Sequence, residues 1–201
     1  MAIVNSQIPN PNSQTTTTTK KIEGHEEVAR QAAKVAKGAK IAKKSLQSMA
    51  RSVELVPRTS DEVRAMIGAM APDARAQLSA EWLALFEAST ATDPWVHGFV
   101  ARDRATGTVV GQGGFKGPPG GGVVEIAYGT EAEHRGKGYA TETANALVDY
   151  AFGSPEVTLV IAHTLPDSKA SQRVLAKCGF QRAGEVVDSE DGLVWRFEKR
   201  R

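Results

Sequence analysis

Hydrophobic and polar positions alternate along this chain with two periods, and the switches between them outline a layered domain. Val53 to Val56 is a short β-branched run ended by Pro57. Ser60 is positioned to cap a helix that continues through Val63, Met66, Ile67 and Met70. Pro72-Asp73 restarts the chain, and Leu78, Trp82, Leu83, Leu85 and Phe86 form a second apolar stripe. Two strands are predicted over Val96 to Arg102 and Thr108 to Phe115, joined by Arg104-Ala105-Thr106-Gly107. Gly117 to Gly122 reads as a connection into a β-rich run, Val123 to Tyr128. Ala140, Ala144, Leu147, Val148 and Ala151 then recur at helical spacing. A continuous apolar run, Val157 to Thr164, predicts a central strand, and Pro166-Asp167 opens a last helix. Phe180 to Val187 and Leu193 to Glu198 form a terminal hairpin. The order is strand, two helices, three strands, helix, strand, helix, two strands. It specifies an α/β domain with a mixed sheet flanked by helices.

The first fifty-one residues follow another pattern. Residues 1 to 22 are mostly Asn, Gln, Pro, Ser and Thr, with five consecutive threonines, too few apolar groups to offset chain entropy. Disorder is expected there. Val28, Ala32, Val35, Ala39, Ala42, Leu46 and Met49 then fall in steps of four and three, a thin heptad seam over residues 24 to 50. A solvated helix or linker, a docking or dimerising helix, and a separate fused module all fit that seam. The expected division is therefore 1–51, a disordered tail plus an Ala/Lys-rich helix, and 52–201, the globular domain.

Charge sharpens this division. Of 25 Lys and Arg in 201 residues, nine lie in residues 1 to 51 against three Glu, while residues 52 to 201 carry sixteen against twenty Asp and Glu. The mildly acidic globular part argues against general nucleic-acid binding by it. A single cysteine, Cys178, excludes an internal disulfide and fits a reducing compartment. No apolar run reaches the ~18 residues of a membrane span, and the N-terminus lacks the pattern of a secretory signal. A cytoplasmic location is expected, with no metal ligands assigned.

The chemistry concentrates in Val123 to Glu142, VVEIAYGTEAEHRGKGYATE. Arg135-Gly136-Lys137-Gly138-Tyr139-Ala140 opens the helix after the β-rich run. A helix N-terminus presents unpaired N–H groups and partial positive charge, and two glycines let an anion approach the backbone. The P-loop pattern fails because Gly138 follows Lys137 where Ser or Thr is required, and no G-x-G-x-x-G is present. Arg-x-x-Gly-x-Ala after a strand carrying Glu125 resembles instead the acetyl-CoA pyrophosphate loop of the GNAT superfamily of N-acetyltransferases. A second stretch, Ala170 to Phe180 (ASQRVLAKCGF), is similar to the helix and turn that close the other side of that site. The similarity spans about residues 52 to 198 and is closest to the branch that includes ribosomal-protein N-terminal acetyltransferases.

The resemblance implies a GNAT-type sheet whose central strand and the next one splay apart around the cofactor arm. It implies acetyl-CoA as cosubstrate and direct attack by a primary amine in a ternary complex. Backbone groups from Ala127, Tyr128, Gly129 and Thr130 are then expected on the pantetheine, and Arg135, Gly136, Lys137, Gly138, Tyr139, Ala140 and Thr141 on the pyrophosphate. Glu125 is the first candidate base, a carboxylate in mid-strand, where an unpaired charge is expensive. A sheet-face glutamate paired to an Arg is the competing reading. His163 is the second base, with a satisfied core histidine as its alternative, and Ser171 is a candidate donor. His134 is expected in the polar loop, Cys178 in the core, and Trp95 with His97 either lining the acceptor site or packing inside. Two departures stand out. Asp167-Ser168-Lys169 lacks the Asn that many relatives use on the cofactor arm, and Leu175 occupies the place of their acidic Tyr. A thiol pKa of ~8.5 already makes a fair leaving group. A catalytically weak acyl-CoA-binding or sensor domain is the alternative function. The acceptor is expected to be a small-molecule amine or a protein N-terminus.

Overall fold

The computed structural model describes residues 52–89, 91–188 and 192–201, together with Arg30, Gln31, Ala33, Lys34 and Lys37, which are helical and exposed. The heptad seam and the polar tail lie outside the described residues. Contacts divide the chain into Met1–Ala50 and Arg51–Arg201.

The second unit is built on one seven-stranded sheet in the order β1-β2-β3-β4-β5-β7-β6. Its strands are β1 (Val53–Pro57), β2 (Phe99–Asp103), β3 (Val109–Phe115), β4 (Val123–Thr130), β5 (Leu159–Thr164), β6 (Gln181–Asp188) and β7 (Gly192–Arg200). Every neighbouring pair is antiparallel except β4 with β5. The mixed α/β architecture expected from the sequence is therefore the one formed. Pro57 closes the edge strand β1, where a missing N–H costs no ladder bond.

The helices are α1 (Ser60–Ala69), α2 (Pro72–Ala76), α3 (Ala80–Ala88), α4 (Pro94–His97), α5 (Tyr139–Ala151) and α6 (Lys169–Lys177). The cap of α1 is Thr59, not Ser60. Thr59 Oγ1 accepts from the Glu62 N–H at 3.2 Å and the Glu62 carboxylate accepts from the Thr59 N–H at 2.7 Å, a reciprocal capping box that Ser60 cannot make. Val96 and His97 are also not strand. The Asp93 carboxylate accepts from the Trp95 N–H, and Pro94 opens a short helical turn, so β2 begins at Phe99.

Helix α5 buries Thr143, Ala144, Leu147, Val148 and Ala151 and packs on β1, β3 and β4. It sits close to the sheet because Gly113 has no side chain: a Cβ there would lie 2.8 Å from Leu147 Cδ1. The main core joins this helix face to Phe99, Phe115, Val124, Ile126, Val160, Ala162 and Leu175. A smaller apolar cluster, Val63, Phe86 and Val96 with Met66, Ile67 and Trp82, holds α1, α3 and α4 together. Among the described residues no helix is long and apolar enough to cross a membrane.

Candidate active site

The parallel pair β4–β5 is the feature from which the site grows. Their register runs from Val123↔Leu159 to Glu125↔Ile161 and then stops, although β4 continues to Thr130 and β5 to Thr164. The strands part beyond that point and leave backbone groups of β4 on the β5 side without a ladder partner. A cavity of about 190 Å³ opens there, lined by Lys116, Glu125, Ile126, Ala127, Tyr128, Ala162, His163, Ser171 and Leu175.

Glu125 and His163, read from the sequence as rivals, are in contact. Glu125 Oε1 lies 3.0 Å from His163 Nδ1 and 3.2 Å from Lys116 Nζ, and the Glu125 and His163 side chains are each 16% exposed. The expected alternative partner, an Arg, is replaced by these two groups. A carboxylate only accepts hydrogen bonds, so Nδ1 donates, and in the neutral imidazole the lone pair is on Nε2. Nε2 is buried and has no hydrogen-bond partner among the described residues. Lys116 also reaches Asp188 at 3.8 Å.

The Tyr128 and Thr130 hydroxyls, both on β4, are likewise buried without a partner among the described residues. Burial, with the charge of Cys178 adding, pushes the Tyr128 phenol well above its ordinary range, so it stays protonated and available as a donor. Sequence reasoning assigned Tyr128 only a backbone role. Side-chain alternation was the available signal, because Tyr128 shares a strand face with the buried Val124 and Ile126. Ser171 lines the cavity from the first turn of α6, and Leu175 closes it as a core residue. Cys178 is buried, with its Sγ 3.5 Å from the Thr141 carbonyl oxygen.

The loop after β4 forms an exposed concavity. A 3-10 turn, Ala132–His134, leads through Arg135 to Gly138, which caps α5 in the left-handed region at φ 92° with no side-chain hydrogen bond. Gly136 is also left-handed, and a Cβ at either glycine would meet nothing within 4 Å. Open space, exposed Arg135 and Lys137, and the first N–H groups of α5 thus face solvent together, a surface suited to a diphosphate. Tyr139 differs from its neighbours. Its hydroxyl donates to Asp103 Oδ2 at 2.8 Å, its ring packs on Val53, Ala101 and Val110, and the His134 ring of the loop meets it edge-on at 5.9 Å between centroids. Thr141 begins the next turn, its N–H donating to the Gly138 carbonyl oxygen.

The structure separates Trp95 from His97. Trp95 packs on Phe115 at 4.5 Å and on Tyr150 at 5.3 Å between ring centroids. His97 is buried. Its Nδ1 accepts from the Asp93 N–H at 3.0 Å, and its Nε2 lies 2.7 Å from Ser89 Oγ. It also lines a second cavity, along β3 and β4. Among the described residues no group of three His, Cys, Asp or Glu is gathered to hold a metal ion.

Comparison with known proteins points the same way. A Bacillus subtilis protein named uncharacterized N-acetyltransferase YjdG is 36% identical over 89 residues, covering 44% of this chain and 51% of its own. An aminoglycoside N(6')-acetyltransferase type 1 from Klebsiella pneumoniae is 33% identical over 69 residues, 34% of either chain. The chain thus spans about half or less of the length of these curated relatives. The aminoglycoside acetyltransferase AAC(6')-Ib, solved with coenzyme A, shares the fold with a TM-score of 0.54 at 23% identity, over 75% of this chain and 95% of that one. A spermidine N-acetyltransferase SpeG chimera (Vibrio cholerae and hSSAT) shares it with a TM-score of 0.58 at 18% identity, over 75% and 96%. Residues 46–181 match the family described as Acetyltransferase (GNAT) domain, and the chain belongs to that family.

Proposed function

We propose that this protein is an acetyl-CoA-dependent N-acetyltransferase that acetylates a primary amine by direct attack. The observation that carries the reading is the parting of β4 and β5 beyond Glu125, with the unpaired His163 Nε2 and Tyr128 hydroxyl buried beside it. Acetyl-CoA supplies an activated thioester there. The residues present suit it: Arg135, Lys137 and the start of α5 for the diphosphate, and the unpaired β4 backbone for the extended arm.

The chain's own contribution is proton management and positioning. An amine of pKa near 10 arrives mostly protonated at neutral pH and must lose a proton before it attacks. His163 Nε2 takes that proton directly or through a water, while Glu125 holds Nδ1–H and stabilises the imidazolium that forms. Lys116 fixes the carboxylate from the opposite side. The Tyr128 hydroxyl offers a pre-oriented donor to developing negative charge in the gap. Because the acyl donor is already reactive, holding the two reactants together supplies much of the rate.

The names of the relatives make aminoglycosides and polyamines acceptor classes to test, and the resemblance to N-terminal acetyltransferases adds peptide N-termini. The decisive experiment follows thiol release from acetyl-CoA by the full-length protein across such a panel. Amine-dependent release that falls at least a hundredfold in Glu125→Gln supports the reading. Tight acetyl-CoA binding with no amine-dependent release from any acceptor replaces it with an acyl-CoA-binding domain.

A further inference from the structure

The second cavity, about 520 Å³, lies along β3 and is walled by Met66, Leu78, Trp82 and Phe115, with Arg58 and Gln112 among its lining. Its size suits a small ligand. Arg58 follows β1, and its N–H donates to the Gly98 carbonyl oxygen at 3.1 Å. Its Nη2 donates to the neutral Gln112 Oε1 at 2.8 Å. Among the described residues it has no ion-pair partner. The Glu62 carboxylate, whose charge acts on it from a distance, accepts from the Thr59 N–H and hydroxyl through Oε2. Burial strips water from the guanidinium and lowers its pKa from the ordinary value, against the opposing pull of Glu62.

The charges further along the groove have a different character. A neighbouring cavity shares Leu78, Trp82 and Phe115 and adds Glu81, Lys116 and Asp188. Lys116 is engaged by Glu125 and Asp188 there. Arg58 is therefore the cation at the far end, half-buried beside apolar walls with only a neutral partner. A planar fork of donors in that setting matches a carboxylate. Gln112 and Lys116 are four residues apart along the chain, about 13 Å of extended backbone.

We propose that the acceptor is a short zwitterionic amine of the apolar di- or tripeptide class. Its carboxylate sits on Arg58, its apolar body lies against Trp82 and Phe115, and its amine reaches the Glu125–His163 pair. Three extended residues span about 10 Å, so a tripeptide fills most of the Gln112-to-Lys116 length and a dipeptide about half. The proposal rests on the amine-acetyltransferase reading above.

The test uses full-length protein, acetyl-CoA and matched alanine–phenylalanine di- and tripeptides, each with a free or an amidated C-terminus, with kanamycin and spermidine as polycationic arms. In the wild type the free carboxylates are expected to have KM values at least tenfold below those of their amides. Arg58→Gln should bring that ratio to within twofold, and Arg58→Lys should retain part of it. Equal KM values for the matched pairs, a ratio unchanged in Arg58→Gln, or preference for the polycations overturns the proposal. Absence of turnover with every acceptor counts against the transferase reading instead. The same pairs are then compared by calorimetry on the coenzyme A-loaded protein, where equal Kd values, or no binding by either member, overturn the Arg58 assignment.

Discussion

At the scale of single residues, the pairing of Glu125 with His163 makes a prediction that neither residue makes alone. Glu125→Gln is expected to lower kcat by roughly 10²–10⁴ with acetyl-CoA affinity nearly unchanged. His163→Gln should do the same, and the double variant should lose little more, because the two act as one unit. The loss should shrink at high pH, where the amine arrives neutral; steady-state profiles across pH check this. Losses that multiply in the double variant would mean separate roles. Tyr128 tests the gap from another side. Removing its hydroxyl as Tyr128→Phe breaks no hydrogen bond among the described residues, so the melting temperature should hold or rise. A donor to developing charge predicts about a tenfold fall in kcat, some 1.4 kcal/mol of barrier. Unchanged kcat in a protein melting at or above the wild-type temperature would remove Tyr128 from the mechanism.

At the scale of elements, the β4–α5 loop separates charge from conformation. Gly138 holds φ 92°, so any side chain there is strained whatever the ligand. Lys137→Glu is therefore the cleaner probe, since its Cα carries no positive-φ constraint. It should weaken acetyl-CoA binding tenfold or more and flatten the dependence of affinity on salt; calorimetry at two ionic strengths reads both. The other end of the same helix turn is anchored by Tyr139 to Asp103. The Tyr139 hydroxyl, followed by N–H groups of the 104–107 turn, holds the Asp103 carboxyl below the usual range. A depressed carboxyl contributes stability above its unfolded pKa, about 3.9, and that contribution fades as pH falls through the lower folded value. Tyr139→Phe should thus reduce the melting temperature more at pH 7 than well below pH 3.9. A constant difference across that window would assign the anchor to packing alone.

At the scale of the whole molecule, the sheet and its helices all begin after residue 52. Removing residues 1 to 51 is accordingly expected to leave kcat/KM for an amine within about threefold, under 1 kcal/mol. A larger loss, or failure to fold, would place the preceding segment in the catalytic unit. The capping box at Thr59 and the cluster of Val63, Phe86 and Val96 give α1, α3 and α4 their own supports. If the cavity they border holds the acceptor, as proposed, variation in it should alter KM more than acetyl-CoA affinity.

The sequence by itself determined the order of the strands and of the longer helices, and the buried face of α5, because each follows from local periodicity. It missed Thr59 as the cap and the turn at Pro94–His97, where one residue's side-chain bond decides a boundary that hydrophobic spacing leaves open. Only the tertiary structure decided which residues share the site. Glu125 and His163 are 38 positions apart and meet because parallel pairing places β5 beside β4. Lys116 joins them from the end of β3, and Arg58 faces the groove from the end of β1. Such contacts are set by strand order and register, which local spacing does not encode: two strands read identically whether they lie side by side or at opposite edges of the sheet.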